Sequence, residues 1–168
     1  MCVILFKPKG VKLPSLDILT KAHNRNPHGC GFCSPTGSYK GLSFNSFLRE
    51  VKKHEDEPIL IHFRFATQGS VKKSNCHPFY DEETNTYFMH NGVLSGFLPH
   101  KDMTDSEMCF RWMIQPYIKR YGFSVTTEQE VEYQRCGSRF AFMQGEDVHL
   151  YGLYEQMDGV YYSNLRFL

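Results

Sequence analysis

No apolar run in this 168-residue chain is long, and each is closed by a turn-forming cluster. CVILF (2–6) stops at Lys7-Pro8-Lys9-Gly10, and the glycine-rich GCGFCS (29–34) stops at Pro35-Thr36-Gly37. TYFMHNG (86–92) ends in Asn-Gly, the strongest short hairpin signal, and SRFAFMQ (138–144) meets a tight Gly145-Glu146-Asp147 turn before VHLYG. GVYYSN (159–164) reads as a last strand. Between these runs lie helical patterns. SLDILTKAHNR (15–25) has Ser15 or Pro14 at its start and Asn26-Pro27 at its end. SFNSFLREVKKHED (43–56) puts Phe44, Phe47, Leu48 and Val51 on one face. Thr104-Asp105-Ser106-Glu107 is a capping box, behind which Met108, Cys109, Trp112 and Met113 recur at helical spacing toward Pro116, with Gly122 closing the segment. PILIHFRFA (58–66) is a strand with apolar residues on both faces, and 67–84 reads as a long loop carrying NCHPF. This alternation predicts a single α+β domain over residues 1–168 with a largely antiparallel sheet, without repeats or linkers.

Charge narrows the partners. Lys plus Arg (19) nearly cancels Asp plus Glu (18), and the basic residues are scattered or paired, which disfavours nucleic acid or an acidic membrane as a partner. The apolar runs fall far short of the roughly 18–20 residues that span a bilayer. With no export signal in view, the six cysteines are expected reduced and the protein cytoplasmic. Fourteen Phe and ten Tyr are ample for a packed core without disulfides.

Several residues could carry chemistry, and each also has a structural explanation. By alternation His62 and Arg64 share a strand face, so Arg64 is either a solvated edge residue or a pocket guanidinium that grips a carboxylate with two parallel hydrogen bonds. Asn91-Gly92 is either a hairpin turn or a pair of amide donors aimed at one oxyanion. Asp105 either complements a helix dipole or binds an ammonium group. Cys30-Gly31-Phe32-Cys33 has CxxC spacing, yet Pro35 and Gly37 forbid the helix a redox pair needs. Zinc would need two more ligands, and the adjacent pair Cys76-His77 is a poor chelate. Cys109 and Cys136 are most simply core and turn residues. Cys2 behaves as a small hydrophobe, unless Met1 is removed and leaves it with both a thiol and a free α-amine.

Taken in order, Cys2, NPHGCGF (26–32), HFRFATQG (62–69), NCHPF (75–79), HNG (90–92) and TDSE (104–107) resemble the motif series of class II glutamine amidotransferases, the small stand-alone type above all. The resemblance runs from residue 2 to about 113 and implies the N-terminal-nucleophile hydrolase fold, a four-layer αββα sandwich. It implies Cys2 as nucleophile with its own α-amine as base, and Asn91 with Gly92 as oxyanion hole. Arg64 and Asp105 would hold the α-carboxylate and α-ammonium of L-glutamine, with Thr67 and His77 flanking the substrate. Gly29 and Gly31 match small positions near the site. No cofactor or metal is implied, and ammonia would pass to a separate synthetase. Phe65 and Gln68 stand where the sugar-synthase branch typically has Trp and His. A hydrolase acting on another γ-glutamyl or small amide, and a non-catalytic binding module, are the competing readings.

Overall fold

The computed structural model describes residues 2–67, 69–97, 100, 102–128 and 137–168; Met1, Gln68 and Cys136 lie outside the described residues. Among the described residues ten strands form two sheets in which every pairing is antiparallel. The first sheet is built around β1 (Val3–Lys7) and β4 (Ile59–Phe63), whose register places Val3 opposite Phe63 and Leu5 opposite Ile61. β2 (Cys30–Cys33) and β3 (Ser38–Gly41) extend it on one side. On the other side lie β9 (Glu155–Met157) and β10 (Val160–Tyr162), giving the order β3-β2-β4-β1-β10-β9. The second sheet runs β5 (Phe79–Asp81), β6 (Thr86–Asn91), β7 (Arg139–Gln144), β8 (Asp147–Tyr151) in sequence order.

Side-chain alternation turns these sheets into layers. Val3, Leu5, Ile59, Ile61 and Phe63 face α1 (Leu16–Arg25) and α2 (Phe44–Val51) through Leu19, Ala22, Phe47 and Val51. Their neighbours Ile4 and Leu60 point the other way, against Met89, Ala141 and Met143 of the second sheet. The outer face of that sheet carries Phe88, Phe140 and Phe142, which meet Phe110, Ile114 and Ile118 of the helical segment 105–121. The result is a helix–sheet–sheet–helix sandwich, the four-layer arrangement implied by the resemblance. No helix among the described residues is long and apolar enough to cross a membrane.

Local chemistry sets the helix starts. Ser15, Ser43 and Thr104 each accept a hydrogen bond from the backbone N–H three residues on, at 3.3, 3.2 and 3.2 Å. Thr104 therefore caps the helix at Glu107 N–H as the sequence predicts, and Gly122 ends the segment at φ +87°.

Three expectations need correction. The helix expected over 43–56 ends at Val51 and continues only as a 3₁₀ turn over Lys52–His54. The hairpin partner β3 and the short strand β5 were not anticipated, and β5 lies inside the supposed loop 67–84. Trp112 and Met113 do not share a buried face with Met108 and Cys109; they are exposed. The cause is a π-helical turn over Phe110–Ile114, between α3 (Asp105–Cys109) and α4 (Gln115–Tyr121), whose extra residue shifts the face so that Phe110, Ile114 and Ile118 are buried instead.

Candidate active site

Cys2 precedes β1, the central strand of the six-stranded sheet, and its carbonyl is clamped from two sides. Asn91, at the end of β6, donates its side-chain amide to Cys2 O at 2.6 Å, and Asn164, just past β10, does so at 3.0 Å. The second amide proton of Asn91 goes to Ser163 Oγ at 2.9 Å, and the same hydroxyl accepts from Ile4 N–H at 2.9 Å. The chain end is thus tied to both sheets, where an unsupported terminus would fray. The Cys2 thiol contacts the backbone of Phe65, accepting from its N–H at 3.2 Å and lying 3.4 Å from its carbonyl.

The turn after β4 is held from below by NPHGCGF. Arg64 N–H donates to Gly29 O at 2.8 Å, His28 N–H donates to Arg64 O at 2.9 Å, and His28 Nδ1 accepts from Ala66 N–H at 2.9 Å. The close approach requires glycine. A Cβ on Gly29, where φ is +142°, would lie 2.4 Å from Cys76 Sγ, and one on Gly31 would lie 2.0 Å from His77 O.

One cleft gathers the residues singled out in the sequence. Cys2, Arg64, Thr67, His77, Gly92 and Asp105 all line it, together with Phe65, His90 and Ser106. Arg64 is almost wholly buried and donates to Ser70 O at 3.1 Å. The Asp105 carboxylate, at the start of α3, accepts from Leu94 N–H at 2.9 Å and Ser106 N–H at 2.8 Å. The Asn91 side chain stands behind the cleft, turned toward the Cys2 backbone, whereas Gly92 is part of the wall.

Burial keeps the histidines in and beside the cleft neutral. Burial pulls the pKa of His62 down to about 3 and of His90 to about 4, and drives that of His77 well below the usual histidine value. The His62 and His77 rings lie 4.2 Å apart, His62 Nε2 donates to His90 O at 3.3 Å, and His90 Nδ1 meets Ser106 Oγ at 2.8 Å. Burial also raises the Cys2 thiol, against the opposing effects of the Phe65 hydrogen bond and the nearby Arg64 charge. A thiol in this setting needs a base to become a nucleophile.

The CxxC cysteines take different sides of β2. Cys30 packs with the α1/α2 side and Cys33 with the layer between the sheets, so they neither pair nor chelate. No group of three potential metal ligands converges among the described residues. Ser163 and Asn164 were missed in the sequence; their only signal is a polar pair directly after the last strand.

A sandwich of two antiparallel sheets between helices, with Cys2 just before the central strand and beside a cleft that holds Arg64 and Asp105, has the fold of the N-terminal-nucleophile amidotransferase domains. The chain belongs to the class II glutamine amidotransferases: the model of that family matches residues 33–137. Over 94 residues it is 36% identical to YafJ of Escherichia coli, whose name places it among the glutamine amidotransferases; the match covers 47% of this chain and 36% of that protein. Glutamine–fructose-6-phosphate aminotransferase of Methanococcus maripaludis is 27% identical over 95 residues, which is 53% of this chain and 16% of that enzyme. The matched segments therefore span well under half of these relatives. Among solved structures, glutamine phosphoribosylpyrophosphate amidotransferase from B. subtilis superimposes with a TM-score of 0.57 over 96% of this chain and 41% of its own, at 18% identity, which establishes likeness of fold.

Proposed function

We propose that this domain hydrolyses L-glutamine through a Cys2 thioester and supplies ammonia to a separate synthetase. The observation that carries the reading is the convergence of Cys2, Arg64 and Asp105 in one cleft. With Met1 removed, the α-amine of Cys2 has a reference pKa of roughly 7.7–8.0 and can take the thiol proton near neutral pH. The thiolate attacks the side-chain amide carbon of glutamine, and the oxygen of that amide becomes an oxyanion facing Gly92; Asn91 becomes the second donor by giving up one of the bonds it makes to Cys2 O and Ser163 Oγ. The protonated amine returns its proton to the departing nitrogen, ammonia leaves, and water cleaves the γ-glutamyl thioester to glutamate and free thiol. Arg64 suits the α-carboxylate because a guanidinium makes two parallel bonds to it, and Asp105 suits the α-ammonium. Thr67 and His77 flank the substrate. A neutral His77 adds no charge to compete with Arg64. A cytoplasmic setting, with its reduced thiols, agrees with a free nucleophile.

Intact mass before and after treatment with a glutamine-mimicking diazoketone tests this. The expected result is loss of Met1 and a single adduct mapped to Cys2. A chain that keeps Met1 and takes no label overturns the assignment.

A further inference from the structure

A second cavity, of about 350 Å³, opens on the other side of the loop that carries Cys76 and His77. Its charged residues are Lys40 on β3, Lys73 and Arg111, and its walls include Tyr39, Tyr80 and Tyr87. The volume lies at the lower end of the roughly 300–1,000 Å³ typical of small-molecule sites.

Lys40 is the informative residue. Its ammonium is half-buried, 4.9 Å over the Phe79 ring, and no carboxylate among the described residues forms an ion pair with it. Removing an ammonium from water without a counter-ion is costly. Burial lowers its pKa, and the neighbouring Arg111 and Lys73 add to that effect while Glu107 opposes it. Glu107 lies 3.7 Å from Arg111 Nε, and Arg111 also donates to Tyr80 O at 3.0 Å. Three cations against one carboxylate leave two positive charges facing the cavity. A carboxylate ligand would neutralise one of them; a phosphate monoester, at about −1.5 to −2 near pH 7, matches both. The Tyr80 and Tyr87 rings stack on each other at 4.4 Å, making a flat aromatic wall beside the cations.

We propose that Lys40, Lys73 and Arg111 form a binding site for the phosphate of a small ring-bearing phosphate monoester, with the tyrosines enclosing its organic part. The loop over residues 73–78 serves both cavities: Lys73 and Pro78 line this one, and Asn75 and His77 line the cleft of Cys2. A phosphate compound bound here would therefore sit one loop away from the nucleophile.

Calorimetric titration with phenyl phosphate, inorganic phosphate and phenol tests the site on the full chain, without reference to catalysis. Phenyl phosphate is expected to bind more tightly than inorganic phosphate, phenol not at all, and added sodium chloride to weaken both anions. Lys73→Gln, an exposed position, and Lys40→Met are each expected to weaken phenyl phosphate about tenfold, the scale of one charge-assisted hydrogen bond. Lys73→Gln keeps the test valid if Lys40→Met fails to fold. No binding of phenyl phosphate at millimolar concentration, or unchanged affinity in Lys73→Gln, overturns the proposal. Equal affinity for the two anions overturns the ester assignment in favour of free phosphate.

Discussion

The side-chain amide of Asn91 is hydrogen-bonded to the carbonyl oxygen of Cys2 at 2.6 Å, joining the last residue of β6 in one sheet to the residue that opens the central strand of the other. Its remaining proton goes to Ser163 Oγ, so Asn91 supports the nucleophile's backbone at the same time as it stands beside the Gly92 amide. Replacing it removes the support of the Cys2 backbone together with the donor that the proposed mechanism turns toward the oxyanion. Asn91→Ala is expected to lower kcat for glutamine about 100- to 1,000-fold with little change in KM, because the loss is felt where the oxyanion develops. Steady-state kinetics on the processed enzyme measures this. Asn164, which still holds Cys2 O, should keep the variant folded.

Acid should destabilise the domain before most carboxylates titrate. His62 and His90 have folded pKa values of about 3 and about 4, below their ordinary 6.5, so the unfolded chain binds more protons throughout that interval. Their contribution is complete above pH 6.5 and is lost as pH falls toward the folded values. At pH 5 each is expected to cost about 2 kcal/mol, for a total of about 4 kcal/mol relative to pH 7. His77, shifted the same way, adds to the loss. Urea unfolding at pH 7 and pH 5 reads the difference as a drop in midpoint. His62→Asn and His90→Asn variants with an unchanged pH dependence would refute the attribution.

Gly31 is a packing requirement rather than a turn requirement. A methyl group there would lie 2.0 Å from His77 O and 2.7 Å from Tyr39 O, both backbone atoms held by neighbouring structure. Gly31→Ala should therefore destabilise by at least about 3 kcal/mol, at the upper end of overpacking effects. Gly96→Ala, where nothing lies within 4 Å, is the matched control and should stay within about 0.5 kcal/mol. Thermal melts of the two variants compare them directly.

Elements with strong local signals were legible in the sequence. The capping serine and threonine residues and the glycine-bounded strands lie where side-chain chemistry and period-2 patterning put them. The motif order also brought Cys2, Arg64, Gly92 and Asp105 to one cleft. The helix face over 108–113 was misread because a π turn is a backbone choice without a residue signature, so Trp112 keeps helical spacing and still turns outward. β5 escaped because three residues between loops carry no period; its pairing with β6, Phe79 opposite Phe88, defines it. Ser163 and Asn164 support Cys2 through contacts 72 to 162 residues away in sequence, distances at which no local pattern forms.

Arg64 gives the sharpest test of which head group the cleft reads. Lysine keeps the positive charge and can still donate to Ser70 O, but it cannot make two parallel bonds to a carboxylate. Arg64→Lys should therefore lower kcat/KM for glutamine by about 10- to 100-fold, mostly through KM, since the α-carboxylate is bound alike in ground and transition states. The substrate supplies the other half of the cycle. 4-Aminobutanamide, which lacks the α-carboxylate, should be a poor substrate for the unaltered enzyme, and Arg64→Lys should cost it little further. An equal fold-loss for glutamine and for the decarboxylated amide would mean that Arg64 supports the cleft through Ser70 and the turn after β4, and does not grip the substrate.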